Sequence, residues 1–442
     1  GIVASGGASL QFDELIGGLR ESVNAFPDRR SGKNIQYSIA DIALSAFSVF
    51  FMQSPSFLDF QRTMGRSKGR HNAASLFGVA KVPTDNHIRS VLDAVPAETL
   101  EPMFDSVVER LSASGMMDEF RSIGNDLLVT LDGTEYYRSE RLSCPHCHVS
   151  HHSNGRVSYK HMLVSPAIVK AGEKNVIALA PEFIRAADGK AKAENELSAA
   201  KRWLTRHGER LSLLSVTIMG DDLYASQPFL EQVREAEMNF LCVCKPQSHQ
   251  YLEECIESLR GTGETETLET SEWTGKERRT THYEWGEDVP LRSTEDAMQV
   301  GWLSVEVTGQ DGRRIYRNSF ITNHVLNAGT VVEIAAAGRA RWKIENEDIN
   351  TLKTKGYNLE HNFGHGSDHL SETLATLNIM AFLLHTILDL TDRRYQLLRN
   401  TRGRRTRFFT ELGVVACYWY HESWQDQMRF MIRQLELPEP GS

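Results

Sequence analysis

The chain has few cysteines and no long apolar segment, which argues against a disulfide-stabilised scaffold and against a membrane-spanning protein. Six cysteines in 442 residues are too few for a disulfide-stapled scaffold, so we expect reduced thiols and a cytoplasmic location. No run approaches the roughly 20 apolar residues that span a bilayer, so we expect no membrane partner. The first residues also lack the basic-then-apolar order of a secretory signal. The remaining composition, 40% hydrophobic and 24% charged, is typical of a globular protein with two or three domains.

An excess of positive charge is missing as well, because the net charge is −9. This deficit does not exclude a nucleic-acid partner, since binding needs one basic face rather than a basic total. Local basic clusters do occur. One comprises Arg62, Arg66, Lys68, Arg70 and His71, and seven arginines fall between Arg393 and Arg407. Each cluster is either a solvated surface or a contact for phosphate.

Hydrophobic periodicity divides the chain into regions with different predicted secondary structure. Residues 1–124 have apolar positions at helical spacing and are predicted to form a helical N-terminal domain that binds DNA. Residues 125–244 alternate short apolar strands with helices, as in a mixed α/β core. Residues 245–322 show strand alternation and are predicted to be an antiparallel β insertion. Helices return in 323–400, which complete the core, and in 401–442, a helical C-terminal region. The predicted fold class is therefore α/β, with a mixed sheet, a β insertion and a helical N-terminal domain.

One segment of the N-terminal region carries a clear helix start. In residues 82–92, Thr84 or Asp85 can cap a helix that follows Pro83. With the preceding helix it forms either a helix-turn-helix or an ordinary helical hairpin. In a helix-turn-helix the second helix would present four polar residues to DNA: Asn86, His87, Arg89 and Ser90. Arg89 is accordingly a candidate DNA contact.

Three carboxylates occur where a metal-dependent nuclease would need them. Asp132 ends a predicted strand over 127–131, and Asp221 ends another over 214–220, with Asp222 as the alternative. Glu345 lies on a predicted helix one turn after Arg341, whereas Glu347 and Asp348 are weaker candidates. Phosphodiester cleavage can use two Mg²⁺ ions roughly 3.5–4 Å apart, and Mg²⁺ prefers oxygen ligands. Each acid alone is typical of a loop cap or a surface ion pair, so only the combination points to catalysis.

The motifs around these acids resemble those of bacterial insertion-sequence transposases of the DDE class. They read Thr130-Leu-Asp-Gly-Thr-Glu135, Gly220-Asp-Asp-Leu-Tyr-Ala-Ser226 and Arg341-Trp-Lys-Ile-Glu345. The resemblance is to the branch with a Tyr-Arg-Glu-Lys signature and a long β insertion before the catalytic Glu. Four further stretches resemble one subgroup of these elements: Cys144-Pro-His-Cys147, His152-Ser-Asn-Gly155, Pro181-Glu-Phe-Ile184 and Leu359-Glu-His-Asn-Phe-Gly-His-Gly366. The similarity runs from about residue 125 to 435, and is less distinct before it.

The resemblance implies an RNase H-like core in which Asp132, Asp221 and Glu345 bind two Mg²⁺ or Mn²⁺ ions. Asp221 is preferred over Asp222 because its spacing to Tyr224 fits the family's Asp-x-x-Tyr pattern. The residues expected to contact DNA are Arg341, Trp342 and Lys353. Two positions depart from the signature: Gly338 stands where Tyr is expected, and Leu352 stands where Lys is expected, with Lys353 one residue late.

The implied activity is metal-dependent cleavage at transposon ends, followed by 3′-hydroxyl strand transfer into target DNA. The expected partners are double-stranded DNA, both terminal inverted repeats and target, and a second copy of the chain in a homodimer on paired ends. Two alternatives remain. One is a nuclease of the same fold recruited to host defence or another task, and the other is a domesticated, non-catalytic DNA-binding protein.

A dense Cys/His segment predicts a second kind of metal site. Residues 144–152 hold two cysteines and four histidines within nine positions. Thiolate and imidazole ligands suit tetrahedral Zn²⁺, so we assign Cys144, Cys147 and His151 as candidate ligands of a structural zinc. Other histidines that could complete the site are His148, His152, His361, His365 and His369. The alternative is a polar loop with reduced thiols.

Three tryptophans fall in the predicted β insertion: Trp273, Trp285 and Trp302. Exposed tryptophans there could stack on a flipped base, as bases stack on aromatic rings. Buried ones would simply be part of the core.

Overall fold

The computed structural model describes residues 10–65, 71–186 and 192–441. Arg66, Lys68 and Arg70 of the first basic cluster lie outside the described residues. The helices are α1 (Phe12–Asn24), α2 (Ile39–Phe51), α3 (Phe57–Met64), α4 (Asn72–Phe77), α5 (Asp85–Leu92), α6 (Glu101–Ala113), α7 (Lys192–Ser212), α8 (Gln227–Glu235), α9 (Gln250–Thr262), α10 (Val331–Ala340), α11 (Asn350–Thr354), α12 (Leu370–Thr391), α13 (Arg393–Arg402), α14 (Arg405–Tyr418) and α15 (Trp424–Gln434).

The strands form one mixed sheet. They are β1 (Leu127–Ser139), β2 (His148–His151), β3 (Val157–Val169), β4 (Ile177–Ala178), β5 (Glu182–Ile184), β6 (Val216–Gly220), β7 (Asn239–Val243), β8 (Glu266–Trp273), β9 (Arg278–Pro290), β10 (Gln299–Thr308) and β11 (Arg314–Thr322). Their order is β2-β3-β1-β6-β7-β11-β10-β9-β8, and β4 and β5 also pair with β3. The predicted α/β class and mixed sheet are thus confirmed.

The centre of this sheet is parallel, and its flanks are antiparallel. β1 pairs in parallel with β6, and β6 pairs in parallel with β7. All five residues of β6 are buried, as expected for a strand covered on both faces. On one side β3 runs antiparallel to β1, and on the other β11 runs antiparallel to β7.

The β-rich region 245–322 does not form a sheet of its own. Its four strands are antiparallel, as predicted, but β11 hydrogen-bonds to β7 and so extends the central sheet. The region also contains α9, which strand alternation did not predict. Leu252 and Ile256 are buried on one side of α9, one turn apart, and they anchor this helix on the sheet.

The helices at the two ends of the chain share one core with α12. The ring of Phe12 stacks on Trp424 with centroids 4.6 Å apart, and Phe51 stacks on His385 at 3.8 Å. His385 Nε2 also lies 2.8 Å from the Phe51 carbonyl oxygen. The Asn72 side chain of α4 donates hydrogen bonds to two carbonyls at the end of α14. Segments far apart in sequence therefore stabilise each other.

Among the described residues, α12 is the helix that is long and apolar enough to cross a membrane by length and composition. However, 89% of its apolar window is buried inside the protein. The apolar surface of α12 is therefore accounted for by packing against the surrounding helices and strands.

Candidate active site and Cys/His cluster

The parallel pair β1–β6 brings Asp132 and Asp221 to the same edge of the sheet. The register runs from Leu127 opposite Val216 to Thr130 opposite Met219, and both acids follow these paired residues. Asp132 does not end its strand, contrary to the prediction, because β1 continues to pair with β3 and Asp132 faces Ser165 in that ladder. Relative to β6, however, Asp132 still lies at the carboxyl end.

Asp221 and Asp222 have different surroundings. The Asp221 side chain caps a short turn by accepting a hydrogen bond from the Leu223 N–H at 2.9 Å. The Asp222 side chain accepts one from the Lys245 N–H at 2.5 Å and lies 3.3 Å from His249 Nδ1. Burial alone would raise the pKa of Asp222, but the hydrogen bonds from His249 and Lys245 outweigh it and lower this pKa. Asp222 is thus occupied by structural contacts, and Asp221 is the one that acts on Asp132 electrostatically.

Glu345 lies on a helical segment that changes its winding. After α10, residues Ile344–Ile349 form one stretch of π-helix before α11 begins. Such wide turns are frequent at functional sites. The Glu345 side chain is 54% exposed, and its Oε1 accepts a hydrogen bond from Arg341 Nη1 at 3.3 Å. The predicted pairing of these two residues on one helix face is therefore present.

A buried carboxyl group docks this π-helical segment on the sheet. Asp348 is fully buried, and its Oδ2 accepts a hydrogen bond from the Ser165 hydroxyl at 2.9 Å. Burial raises the pKa of Asp348 to about 7. Because Ser165 pairs with Asp132 in the β1–β3 ladder, the same contact that holds the helix also brings Glu345 toward Asp132.

The carboxylates interact strongly at this edge. Burial first, and then the negative charges of Glu196, Glu345 and Asp221, together raise the pKa of Asp132 to about 7, whereas Arg341 opposes the shift. A half-buried acid with this many acidic neighbours is typical of functional sites. These carboxylates place excess negative charge at this edge of the sheet.

Glu196 is the member of the cluster that sequence reasoning missed. Its place near the start of a charged helix is typical of a solvated face, yet it is only 6% exposed. Its Oε1 accepts hydrogen bonds from the Tyr224 hydroxyl at 2.8 Å and from the Gly133 N–H at 3.0 Å. A Cβ on residue 133 would lie 2.4 Å from the Glu196 carboxylate, so only glycine allows this approach. The glycine directly after Asp132 was the available signal.

The four residues expected to contact DNA lie in different places. Arg341 and Trp342 are beside the acids, and Trp342 is 47% exposed. Lys353 forms an ion pair with Glu360 at 2.9 Å. Arg89 is in the N-terminal region, where it pairs with Asp85 at 3.0 Å and donates a hydrogen bond to the Phe363 carbonyl at 2.9 Å. Arg89 therefore serves intramolecular packing in this structure.

Packing explains both departures from the transposase signature. The Phe320 ring of β11 lies 2.7 Å from where a Cβ on residue 338 would be, so no larger side chain fits there. Leu352 is only 1% exposed and belongs to the core, a place where an unpaired lysine is rarely found.

The tryptophans of the β-rich region separate into two kinds. Trp285 and Trp302 are each 3% exposed and belong to the core, whereas Trp273 is 65% exposed at the end of β8. Only Trp273 is thus free to stack on a base.

Four Cys and His side chains form a second cluster. The Cys144 and Cys147 Sγ atoms are 3.7 Å apart, and each lies 3.4 Å from His161 Nε2. His365 Nε2 is 3.6 Å from Cys147 Sγ. Burial, followed by repulsion from neighbouring histidines, lowers the pKa of His161 to about 3, so its ring is neutral and able to bind a metal. This cluster could hold a metal ion.

His151 is not part of this cluster. It lies exposed at the end of β2, opposite Val157, whereas His161 and His365 supply the imidazoles. The sequence therefore predicted the two cysteines and included His365 among the histidines that could complete the site, but it did not indicate His161. His365 is 218 residues from Cys147, so local spacing could not reveal the contact.

Comparison with models of protein families finds none that matches the chain, and no curated protein matches it either. The function must therefore be inferred from the acids, the basic residues beside them and the strands that position them.

Proposed function

We propose that the protein is a DDE-type transposase that cuts DNA at element ends and joins the freed 3′-hydroxyl to target DNA. Asp132, Asp221 and Glu345 would hold two Mg²⁺ or Mn²⁺ ions. The observation that supports this proposal is that Asp132 and Asp221 follow the paired residues of β1 and β6, and that, after burial, the charges of Glu345 and Asp221 are among those that raise the pKa of Asp132 to about 7. Bound cations would relieve this repulsion.

The strand arrangement supports an RNase H-like core. Three antiparallel strands, β5, β3 and β1, are followed by β6 and β7, both parallel to β1. The β-rich region comes between β7 and the helical segment with Glu345. This order is the one that the resemblance to insertion-sequence transposases leads us to expect.

The acids would have different tasks. Asp132 is held in the β1–β3 ladder, where it pairs with Ser165, so it would provide a rigid ligand. Glu345 is half exposed on a π-helical segment and would face the incoming DNA. When bound, the ions would activate the attacking oxygen and stabilise the leaving oxygen. Arg341 holds Glu345 in the free protein, and its guanidinium could bind a phosphate in two-point fashion.

Glu196 would support this site from behind. Hydrogen bonds from Tyr224 and Gly133 fix the carboxylate next to Asp132. It would thereby add negative charge to the metal site and hold Tyr224 in place. The Cys/His cluster has sulfur and nitrogen donors, which do not suit Mg²⁺, so we assign it no part in this chemistry.

Partner DNA would be bound by the helical N-terminal region and by residues around Glu345. Trp342 offers an exposed ring beside Arg341, as a DNA-contacting aromatic would. Arg89 is left out of this assignment because its side chain is committed to Asp85 and the Phe363 carbonyl. Strand transfer at two ends implies a homodimer on paired inverted repeats.

The test is incubation of the protein with DNA that carries the inverted repeats flanking its gene, in Mg²⁺ or in EDTA. We expect Mg²⁺-dependent cleavage and joining. In Asp132→Asn, Asp221→Asn and Glu345→Gln, the loss of several kcal/mol of metal-mediated stabilisation corresponds to at least about a thousandfold slower reaction. Asp222→Asn is the matched control and should retain metal-dependent activity.

The outcomes separate the alternatives. Cleavage without joining would favour a nuclease recruited to another task. Binding without any cleavage would favour a non-catalytic DNA-binding protein. Full activity in Asp132→Asn would overturn the metal site itself.

A further inference from the structure

We propose that Cys144, Cys147, His161 and His365 bind one structural Zn²⁺ ion. A tetrahedral zinc with bonds of about 2.3 Å to sulfur and about 2.0 Å to nitrogen places two sulfurs about 3.8 Å apart, and a sulfur and a nitrogen about 3.5 Å apart. The measured Sγ–Sγ distance is 3.7 Å, and the Sγ–Nε2 distances are 3.4, 3.4 and 3.6 Å. Four of the six donor–donor distances therefore match a zinc tetrahedron, and all four donors lie within 4.8 Å of one another.

The cysteine turn is built to hold both sulfurs toward one point. The Cys147 N–H donates a hydrogen bond to the Cys144 carbonyl at 3.1 Å, which closes a tight turn. In return the Cys144 N–H points at Cys147 Sγ, 3.4 Å away. This turn directs both sulfurs toward His161 Nε2.

The geometry favours a metal over a disulfide. The two sulfurs are well beyond the about 2.05 Å of a disulfide bond, and His161 Nε2 is equidistant from both. Two thiolates and two imidazoles form a soft donor set that selects zinc rather than Mg²⁺. Four protein ligands leave no open position, so the ion would be structural and not catalytic.

The ion would connect three distant segments. The cysteines lie between β1 and β2, His161 lies on β3 opposite Tyr137, and His365 follows the helical segment with Glu345 by about one loop. Tyr137 packs against His365 with ring centroids 4.4 Å apart. Zinc would therefore fasten the His365 loop to the same β1–β3 hairpin that carries Asp132.

Contacts at both ends of the loop that carries His365 hold this residue in position. Gly364 and Gly366 have φ angles of 158° and 69°, and the second of these is strained for other residues. The Asp93 carboxylate accepts hydrogen bonds from the N–H groups of Asp368 and Leu370 at 3.0 and 3.1 Å. Arg89 holds the Phe363 carbonyl on the other side. These contacts place His365 so that its imidazole points at Cys147.

The test begins with the metal content of the full chain, purified under reducing conditions without chelator. We expect about one zinc ion per chain by elemental analysis. Cys147→Ser and His365→Ala should lose it, whereas the matched controls Cys255→Ser and His151→Ala should keep it. Because a ligand variant can misfold, Co²⁺ is also exchanged into the wild-type protein. Intense tetrahedral bands with thiolate charge transfer are the expected spectrum.

The following results would overturn the proposal: substoichiometric zinc with no uptake on titration, octahedral Co²⁺ bands, or zinc that persists in both ligand variants. Hydrogen exchange tests the connecting role separately. Chelation of the wild-type ion should increase amide exchange in residues 358–369 and leave β6 and β7 unchanged. Unchanged amide exchange in residues 358–369 would contradict the connecting role of the ion.

Discussion

Replacing Asp132 with asparagine should stabilise the metal-free protein, and increasingly so as the pH rises. In the folded chain the pKa of Asp132 is raised from 3.8 to about 7, first by burial and then by the charges of Glu196, Glu345 and Asp221. The folded state therefore binds this proton more tightly than the unfolded state does. Wild-type stability is lost as the pH rises from 3.8 through about 7, whereas asparagine does not titrate.

The size of the effect follows from the shift. One pKa unit corresponds to about 1.4 kcal/mol, so the full penalty above pH 7 is about 4 kcal/mol. Between about pH 5 and about pH 8, two units are traversed, and the advantage of Asp132→Asn should grow by about 3 kcal/mol. Part of the side chain reaches solvent, so this is an upper value.

The assay is denaturant-induced unfolding of both proteins in EDTA at the two pH values. Asp222→Asn is a control for which we expect the opposite change in the free energy of unfolding. Despite burial, which raises it, the pKa of Asp222 is lowered by hydrogen bonds from His249 and Lys245. That variant should be destabilised at both pH values, but less at about pH 8 than at about pH 5, because the Asp222 side chain raises the pKa of His249 to about 11 and this part of the wild-type stability is lost as the pH rises above 6.5. An Asp132→Asn protein that is less stable than wild type in EDTA at about pH 8 would refute the carboxylate cluster.

Three further changes test other parts of the structure. Gly133→Ala places a Cβ 2.4 Å from the Glu196 carboxylate and should cost about 1–3 kcal/mol of unfolding free energy. Gly261→Ala, with open space around its Cβ on a helix, should instead gain up to about 1 kcal/mol; equal effects would contradict the close approach. Arg89→Ala should lower the free energy of unfolding by about 1–2 kcal/mol, because the hydrogen bond to the Phe363 carbonyl is lost. The variant should leave the salt dependence of DNA binding unchanged. A weaker dependence of the affinity on salt concentration would instead show that Arg89 contacts a phosphate. Mg²⁺ at about 100 times its Kd should stabilise the wild type by about 3 kcal/mol and Glu345→Gln by less, as unfolding in a Mg²⁺ titration would reveal.

Much of the secondary structure could be predicted because its signals are local. Helical spacing of apolar residues indicated α1, α2 and α6, and short apolar runs indicated β1, β6 and β7. The π-helical winding at Ile344–Ile349 had no such signal, since it accompanies the docking of Asp348 on Ser165. The helix α9 was missed because its neighbours alternate like strands.

The candidate site is likewise only partly predictable from the sequence. Asp132, Asp221 and Glu345 stand in recognisable positions of the chain, next to apolar runs or on a helix face, and this much depends on sequence alone. The different surroundings of Asp221 and Asp222 depend on His249 and Lys245, which come from a later segment.

The tertiary structure alone decided which distant side chains join the acids and the cysteines. Glu196 reaches Gly133 across 63 residues, and His365 reaches Cys147 across 218. No periodicity or motif spacing encodes such contacts, because they depend on how strands and helices pack. The sequence by itself thus determined the chemical groups and the strands that bear them. The packing of β1, β3, α7 and the His365 loop determined which of these groups lie together, in the acid cluster around Asp132 and in the Cys/His cluster.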